Sequence, residues 1–209
     1  DIAEKVVPDT DPAKEMYSRY ASECNVNGRP MLPQTMEFIT DMGTIFQSCM
    51  KDEISVDEFC EKAQLLNIEV MKGMYEAWND KMWNDAAGLL IWMSHPAYPS
   101  FVWQTYDYYF EPTAAYFGCK KASEPLHIQW NPVTDEIEVV NYSAGVRNGL
   151  TAKAQIINMD GSISWENEVS VDSKEDTTNK CMKLDFPASV SSAHFVKLTL
   201  TENGKIVSD

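Results

Sequence analysis

The chain has 209 residues, of which 44% are hydrophobic, and it carries a formal net charge of -15. Binding to nucleic-acid phosphates needs clustered lysines and arginines, so this charge argues against a nucleic-acid partner. No apolar run approaches the roughly 20 residues that cross a bilayer. The composition therefore predicts a globular protein with no membrane partner.

The cysteines and histidines argue against a disulfide framework and against a metal site. His95, His127 and His194 are far apart in sequence and show no metal-ligand spacing. The cysteines form no Cys-x-x-Cys pair, and their odd number leaves at least one without an intrachain partner. We expect no metal, no cofactor and buried free thiols at Cys24, Cys49, Cys60, Cys119 and Cys181.

Helical signals dominate the first part of the chain. Prolines punctuate residues 1–50, which predict one helix around residues 13–24 and another around residues 34–50. Ser55 and Glu58 form a capping-box pattern, in which each side chain satisfies a backbone donor of the first helical turn. A long helix is therefore predicted to begin at Val56.

Apolar residues at three- and four-residue steps extend this helix to about Asp80. We expect them to form its buried face, whereas Glu69 and Glu76 are predicted to lie on a solvated edge. The apolar positions are Val56, Phe59, Ala63, Leu66, Val70, Met74 and Trp78.

The next feature is an apolar strand that stops abruptly at Trp92. Four apolar residues, Leu89 to Trp92, follow Gly88 and predict a strand buried on both faces. Ser94, His95 and Pro96 then disfavour regular structure, which predicts a functional loop.

Pro112 suits a first helical position, so a helix is predicted over residues 112–121 with Ala114, Ala115 and Phe117 facing inward. Pro125 marks the predicted domain boundary. Short strands separated by turns then predict an immunoglobulin-like β-sandwich over residues 126–209. The predicted strands are residues 126–130, 136–142, 150–158, 162–171, 181–186 and 194–201, with a final strand at the C-terminus.

Four ordered motifs carry a resemblance to a known family. Tyr98-Pro-Ser100, Trp103-Gln-Thr-Tyr-Asp-Tyr-Tyr109, Tyr116-Phe-Gly-Cys-Lys-Lys-Ala122 and Glu124-Pro-Leu-His127 follow the strand that ends at Trp92. This succession resembles the end of the catalytic barrel in glycoside hydrolase family 2, especially its β-mannosidase and exo-β-glucosaminidase branches.

The resemblance implies an α+β multidomain fold. Residues 1–125 would be a mostly helical remnant of the C-terminal part of a (β/α)8 barrel, followed by the immunoglobulin-like sandwich. We expect the chain to be the C-terminal fragment of a longer enzyme. The remainder of that enzyme is then an expected partner, and an exposed barrel surface could also allow self-association. Analogy with the family suggests a periplasmic or extracellular location.

The resemblance also implies a retaining β-glycosidase that hydrolyses terminal β-linked sugars with two glutamates. The acid/base glutamate of the family lies in an Asn-Glu pair, which has no match upstream of Gly88. Glu23 is a candidate nucleophile, because Ser22-Glu23 with Pro30 resembles the family's Ser-Glu-Phe-Gly segment. Cys24 and Asn25 replace the aromatic residue and the glycine of that segment, so a surface glutamate near the end of the first helix is the favoured interpretation of Glu23. We expect this chain alone to be inactive.

Trp92, Ser94 and His95 are the candidate substrate-binding residues. An indole face can stack on a pyranose ring, and Ser94 and His95 could donate hydrogen bonds to sugar hydroxyls, although loop capping also accounts for both polar residues. Many family members carry Leu-Asn-Asp or Leu-Asn-Asn where this chain has Ser94-His95-Pro96, which bears on the sugar specificity. We expect an oligosaccharide or glycan substrate.

An alternative is a noncatalytic carbohydrate-binding or adhesive module, in which the sandwich is the working part and the helices are an accessory layer. That alternative requires an exposed aromatic platform formed by Trp130, Tyr142, Trp165, Phe186 and Phe195.

Overall fold

A computed structural model describes residues 33–82, 84, 87–100 and 104–209 of the chain. Within these residues, three helices precede seven strands in an α+β arrangement. The helices are α1 (Pro33–Met50), α2 (Val56–Asp80) and α3 (Ala114–Ala122). The predicted helices over residues 34–50 and from Val56 to Asp80 are confirmed. The helix predicted around residues 13–24 lies outside the described residues, as does Glu23.

The capping box at the start of α2 forms as predicted. The Ser55 backbone N–H donates to Glu58 Oε2 at 2.9 Å, and the Glu58 backbone N–H donates to Ser55 Oγ at 3.1 Å. Both partners lie within four residues of each other, so local sequence is sufficient to define this helix start.

The buried face of α2 differs from the predicted one. Phe59, Met71 and three polar residues, Asn67, Glu76 and Asn79, are buried, whereas Val56 is exposed. The prediction of a solvated edge is wrong for Glu76. The physical reason is that α2 contacts α3, β1 and β2 along its length, and its contact with the strands is polar.

Helix α3 begins at Ala114 rather than at Pro112, with Thr113 at its N-cap. Ala115 is buried as predicted, but Phe117 is 48% exposed, so its inward placement is wrong. Gly118 faces α2 instead, where a Cβ atom would lie 2.6 Å from the Ile68 carbonyl oxygen. The absence of a side chain at Gly118 allows the two helices to approach this closely.

Residues 89–92 do not form the predicted strand. Leu90 is 96% exposed and Trp92 is 81% exposed. A strand buried on both faces needs hydrogen-bonded neighbours, and the described residues contain no strand before Leu126. The apolar run alone therefore could not impose an extended strand here.

After Pro125 the chain forms two antiparallel sheets. One sheet has the order β1-β2-β5 and the other has the order β4-β3-β6-β7. The predicted strands are confirmed in position, except that the fifth lies earlier than residues 181–186. The strands are β1 (Leu126–Asn131), β2 (Glu136–Asn141), β3 (Arg147–Asn158), β4 (Ile163–Ser173), β5 (Thr177–Lys183), β6 (His194–Glu202) and β7 (Lys205–Ser208).

The two sheets share one hydrophobic core. Alternate residues of β1, β2 and β3 point into it, including Ile128, Ile137, Val139 and Leu150, and Leu200 joins them from β6. The opposite face of β1 and β2 carries polar residues that meet α2. Helix α2 therefore contacts the outer face of β1 through hydrogen bonds to His127 and Gln129.

No helix of the described part is long and apolar enough to span a membrane. The cysteines described by the structure are free, and Cys119 is buried. Cys60 is exposed, which contradicts its expected burial, because it follows the buried Phe59 and adjacent residues of a helix face different directions. Cys49 and Cys181 are only half-buried. Across the described ranges, no cluster of histidine, cysteine and carboxylate side chains has the makings of a metal site.

Candidate functional site

The segment after Trp92 is anchored to the loop that precedes α3. The peptide bond between Trp92 and Met93 is cis. The Ser94 carbonyl oxygen accepts hydrogen bonds from the Tyr106 backbone N–H at 3.0 Å and from Thr105 Oγ1 at 3.1 Å. Through these hydrogen bonds, two separate stretches of sequence form one loop cluster.

The base of this cluster is a short antiparallel pairing next to α3. Tyr106 pairs with Pro112, and Thr113 donates its backbone N–H to the Thr105 carbonyl at 3.0 Å. Thr113 Oγ1 also donates to the Gln104 carbonyl at 2.6 Å. Gln104 and Thr105 are buried, so the loop has a fixed base.

Asp107 organises the tip of the loop. Its Oδ1 accepts the backbone N–H groups of Tyr109 at 2.8 Å and of Glu111 at 2.9 Å. Its own backbone N–H donates to the Glu111 carbonyl at 3.0 Å, and its carbonyl accepts from the Phe110 N–H at 3.2 Å. Phe110 adopts a left-handed conformation with φ of 65°. Asp107 therefore closes a tight turn over residues 107–111.

His95 lies against this turn. Its Nε2 is 3.2 Å from the Tyr108 carbonyl oxygen, and its ring stacks on Phe110 with centroids 4.2 Å apart and planes 13° apart. A carbonyl oxygen only accepts hydrogen bonds, so Nε2 carries the proton. The other face of Phe110 is open, since this residue is 72% exposed.

A second cluster of interacting groups lies between α2 and the outer face of β1. His127 is fully buried; its Nε2 is 2.8 Å from Glu76 Oε1, and its Nδ1 is 3.3 Å from Glu124 Oε2. Ser208 Oγ donates to Glu124 Oε2 at 2.7 Å. Lys72 donates to Glu76 Oε1 at 2.6 Å. We refer to these residues and to Gln129, Glu138 and Asp80 below as the polar junction.

The electrostatics of the junction follow from these contacts. Burial opposes a charge on His127, but the hydrogen bonds to Glu124 and Glu76 outweigh it and raise the pKa of the imidazole above its usual 6.5. Burial likewise opposes a charge on Glu124, yet the donors around it, His127, Ser208 and Lys121, lower its pKa to about 2. The carboxylates of Glu76 and Glu124, which face the two ring nitrogens, favour the protonated form of His127.

Glu138 lies next to this cluster on β2. Its carboxylate accepts Gln129 Nε2 at 2.7 Å, and Gln129 Nε2 also donates to the Glu76 carbonyl at 2.9 Å. Burial, followed by the hydrogen bond and negative charge of Asp80, raises the pKa of Glu138 to about 7. Helix and sheet thus meet through charged and amide groups, among which Glu138 has a pKa near neutrality.

A pocket of about 340 Å³ lies beside α2. Its lining residues include Tyr75 and Trp78 of α2, together with Gly88, Pro125 and Tyr142. Burial raises the pKa of Tyr75 to about 12, so its hydroxyl stays protonated at neutral pH. The volume matches that of small-molecule sites in general.

No protein-family model matches the chain. An exo-β-D-glucosaminidase from Amycolatopsis orientalis is 32% identical over 161 residues, which cover 74% of this chain and 16% of that protein. A mannosylglycoprotein endo-β-mannosidase from Lilium longiflorum is 35% identical over 111 residues, or 53% of this chain and 12% of the lily protein.

Solved structures agree with these relatives. The exo-chitosanase of Amycolatopsis orientalis matches 73% of this chain and 19% of its own, with a TM-score of 0.69 and 29% identity. The chain belongs to glycoside hydrolase family 2. A β-D-mannosidase from Dictyoglomus thermophilum has a TM-score of 0.63 at 19% identity, which supports the shared fold alone. The family 2 chain described here spans less than a fifth of the length of these relatives.

The predicted substrate-binding residues of this family 2 chain lie in the same loop cluster. Trp92 is exposed at its start, Ser94 anchors it through its backbone carbonyl, and His95 packs into it. No role is predicted for Asp107 from the sequence alone, so its contribution to the turn is missed there. The available signal was the aspartate itself, because an aspartate side chain in a turn commonly accepts the backbone N–H two residues further along the chain.

Of the aromatic residues that a carbohydrate-binding module would need on its surface, Tyr142, Phe186 and Phe195 are exposed. Trp130 and Trp165 pack against the shared hydrophobic core. Trp130 contacts Phe186 with ring centroids 6.1 Å apart, and Phe186 in turn contacts His194. The two tryptophans are therefore not part of an exposed aromatic platform in the described sheets.

Proposed function

We propose that this chain is the C-terminal part of a retaining β-glycosidase that hydrolyses terminal β-linked sugars by a two-glutamate mechanism. The main observation in support is the similarity to an exo-β-D-glucosaminidase, which extends over 74% of the chain in sequence and 73% in fold. Mannosides and glucosaminides are the proposed substrate classes, because the similar proteins are named for these sugars.

The domain division is part of the proposal. Residues 1–125 would supply the last helical unit of a (β/α)8 barrel, and residues 126–209 an immunoglobulin-like sandwich. The strand orders β1-β2-β5 and β4-β3-β6-β7 support the sandwich, because a three-strand and a four-strand sheet with this connectivity are typical of that class. The rest of a longer enzyme would pack on the exposed residues Leu90 and Ile91.

The sugar site would use the loop cluster. Trp92 offers an exposed indole face for a pyranose ring. Ser94 and His95 would contact sugar hydroxyls from the adjoining turn of the chain. Loop residues on a rigid base commonly carry binding function, and the buried Gln104 and Thr105 provide such a base.

Catalysis by this mechanism needs two carboxylates about 5 Å apart, one to attack the anomeric carbon and one to protonate the leaving oxygen. Glu23 remains the candidate nucleophile, and the acid/base glutamate would come from the rest of a longer enzyme. We therefore expect the chain alone to bind a sugar weakly and to hydrolyse none.

Two measurements test the proposal. The purified chain is titrated with D-glucosamine and with methyl β-D-mannoside, and tryptophan fluorescence is followed in the wild type, in Trp92→Ala and in Phe195→Ala, which alters an exposed sheet residue. Binding lost only in Trp92→Ala supports the site. Binding lost only in Phe195→Ala would instead favour the module.

The second measurement is hydrolysis of an aryl β-glycoside. We expect no turnover by the chain alone. Turnover that disappears in Glu23→Gln would contradict the proposed division of the two glutamates and would assign the complete chemistry to this chain.

A further inference from the structure

We infer that Asp107 is a positioning residue for His95, and that His95 presents Nδ1 to the sugar as a hydrogen-bond acceptor. This inference rests on the sugar site proposed above, which it deepens by naming the chemistry of one contact. The group recognised would be a donor on the sugar, either a hydroxyl or the ammonium of an amino sugar.

The first step concerns the proton on the imidazole. The Tyr108 carbonyl oxygen is 3.2 Å from Nε2 and can only accept, so the hydrogen resides on Nε2. In a neutral imidazole the other nitrogen is then an acceptor. Among the residues that the structure describes, no hydrogen-bond partner is found for Nδ1 of His95. The sequence suggested that His95 donates a hydrogen bond to the sugar, whereas the geometry leaves Nδ1 of His95 as a hydrogen-bond acceptor.

The second step concerns what fixes the carbonyl. Tyr108 lies inside the turn whose backbone N–H groups, at Tyr109 and Glu111, both donate to Asp107 Oδ1. The Tyr109 N–H belongs to the same planar peptide unit as the Tyr108 carbonyl, so its bond to Asp107 orients that carbonyl directly, and the bond from the Glu111 N–H fixes the end of the turn. A charged acceptor makes such bonds stronger than those of a neutral acceptor. Asp107 thereby aims the Tyr108 carbonyl at His95 without touching the imidazole.

The third step concerns Phe110, which supports the ring. Its left-handed φ of 65° is unfavourable for a bulky residue and persists only where the surroundings hold it. The N–H of Glu111 on Asp107 and the stacking on His95 at 4.2 Å are those restraints. The imidazole is consequently fixed in plane by Phe110 and fixed in rotation by the Tyr108 carbonyl.

The recognised chemistry follows from the acceptor. An ammonium group has three donors and no acceptor, so an imidazole that offers a lone pair suits it, whereas lysine or arginine would repel it. A hydroxyl can also donate to Nδ1. A comparison of D-glucosamine with D-glucose and D-mannose therefore tells whether the site prefers the amino group.

The experiment is nitrogen NMR of the imidazoles in the 209-residue chain, with Asp107→Ala and Asp107→Asn as the variants. We expect wild-type His95 to carry its proton on Nε2, Asp107→Ala to give a mixture of both tautomers, and Asp107→Asn to restore the Nε2 form in large part. The signals of His127 and His194 report whether each variant is folded, and a purely structural role would not alter the tautomer of His95 alone. A tautomer mixture in the folded wild type would overturn the positioning role.

Sugar titration of the same samples separates this inference from the proposed function. We expect D-glucosamine to shift the Nδ1 signal of His95 and the indole signal of Trp92, with about two- to tenfold weaker binding in His95→Ala. A shift at Trp92 without one at His95 would overturn the acceptor role while the sugar site stands. No shift at either residue would overturn the proposed sugar site itself, even with the tautomer fixed as inferred.

Discussion

His127 and Glu76 join the first strand to the long helix through a hydrogen bond of 2.8 Å between Nε2 and Oε1. The imidazole is fully buried and meets a second carboxylate, that of Glu124, at its other nitrogen. A single imidazole thus lies between two carboxylates that belong to different parts of the chain. The polar junction holds helix and sheet together by charge as well as by packing.

Replacing His127 tests this relationship. In His127→Leu the two carboxylates lose their shared partner, and breaking a buried charge pair in this way costs about 3 to 5 kcal/mol. Because Glu124 is partly exposed, we expect the lower end, about 3 kcal/mol of the free energy of unfolding in urea. His194→Leu is the control, since His194 contacts no carboxylate within the described residues and should cost about 1 kcal/mol or less. Equal losses in the two variants would remove the special role of His127.

The capping box and the start of the long helix were predictable because their partners are near neighbours in sequence. The burial of Glu76 was not predictable, since its partner His127 lies 51 residues further along the chain. An acidic residue on a helix looks solvated until the strand that covers it is known. The same limit applies to Asp107, whose importance depends on the placement of His95.

The prediction of a strand that ends at Trp92 is wrong for a different reason. Apolar residues show that a segment can be buried, but a strand also needs hydrogen-bonding neighbours. The strands after Pro125 have such neighbours within the described residues, and Ile137 and Val139 lie in the core that these strands share. Sequence thus identified the elements whose partners are close, along with the loop that gathers Trp92, Ser94 and His95.

The pH dependence of stability follows from three groups of the polar junction. Glu124 has its pKa lowered from 4.5 to about 2, so its stabilisation is present above pH 4.5 and lost as pH falls toward 2. The raised pKa of His127 gives stabilisation that is complete below pH 6.5 and lost as pH rises through the folded value. For Glu138, whose pKa is raised from 4.5 to about 7, stabilisation is lost as pH rises through 7.

We therefore expect the free energy of unfolding to rise from pH 2 to about 4.5 and then to decline toward pH 8, as measured by urea titration at each pH. Glu138→Gln identifies the contribution of Glu138, because the amide stays neutral and can donate to Asp80. It should stabilise the chain by about 2 kcal/mol at pH 8 and by almost nothing at pH 4. The same gain at both pH values would rule out titration of Glu138 as the cause.

Gly118 controls how closely α2 and α3 approach. A Cβ atom there would meet the Ile68 carbonyl oxygen at 2.6 Å and the Lys72 backbone nitrogen at 3.1 Å, so Gly118→Ala forces the helices apart. We expect a loss of about 1 to 3 kcal/mol, as for other overpacked sites. Gly73→Ala is the matched control, because a Cβ atom at Gly73 would meet nothing within 4 Å and the higher helix propensity of alanine should add about 0.5 to 1 kcal/mol. If the helices approach as closely as the structure shows, urea unfolding should give a lower free energy of unfolding for Gly118→Ala and a higher one for Gly73→Ala.

Ser208 ties the last strand into the polar junction. Its Oγ accepts the Ile128 backbone N–H at 3.2 Å and donates to Glu124 Oε2 at 2.7 Å, so Ser208→Ala leaves a buried donor of β1 without a partner. An unsatisfied buried donor costs about 1 to 3 kcal/mol. We expect a loss of that size in urea unfolding, together with faster amide exchange at Ile128, whereas Ser170→Ala on the exposed face of β4 should change neither. A stability loss without faster exchange at Ile128 would mean that Ser208 acts through Glu124 alone.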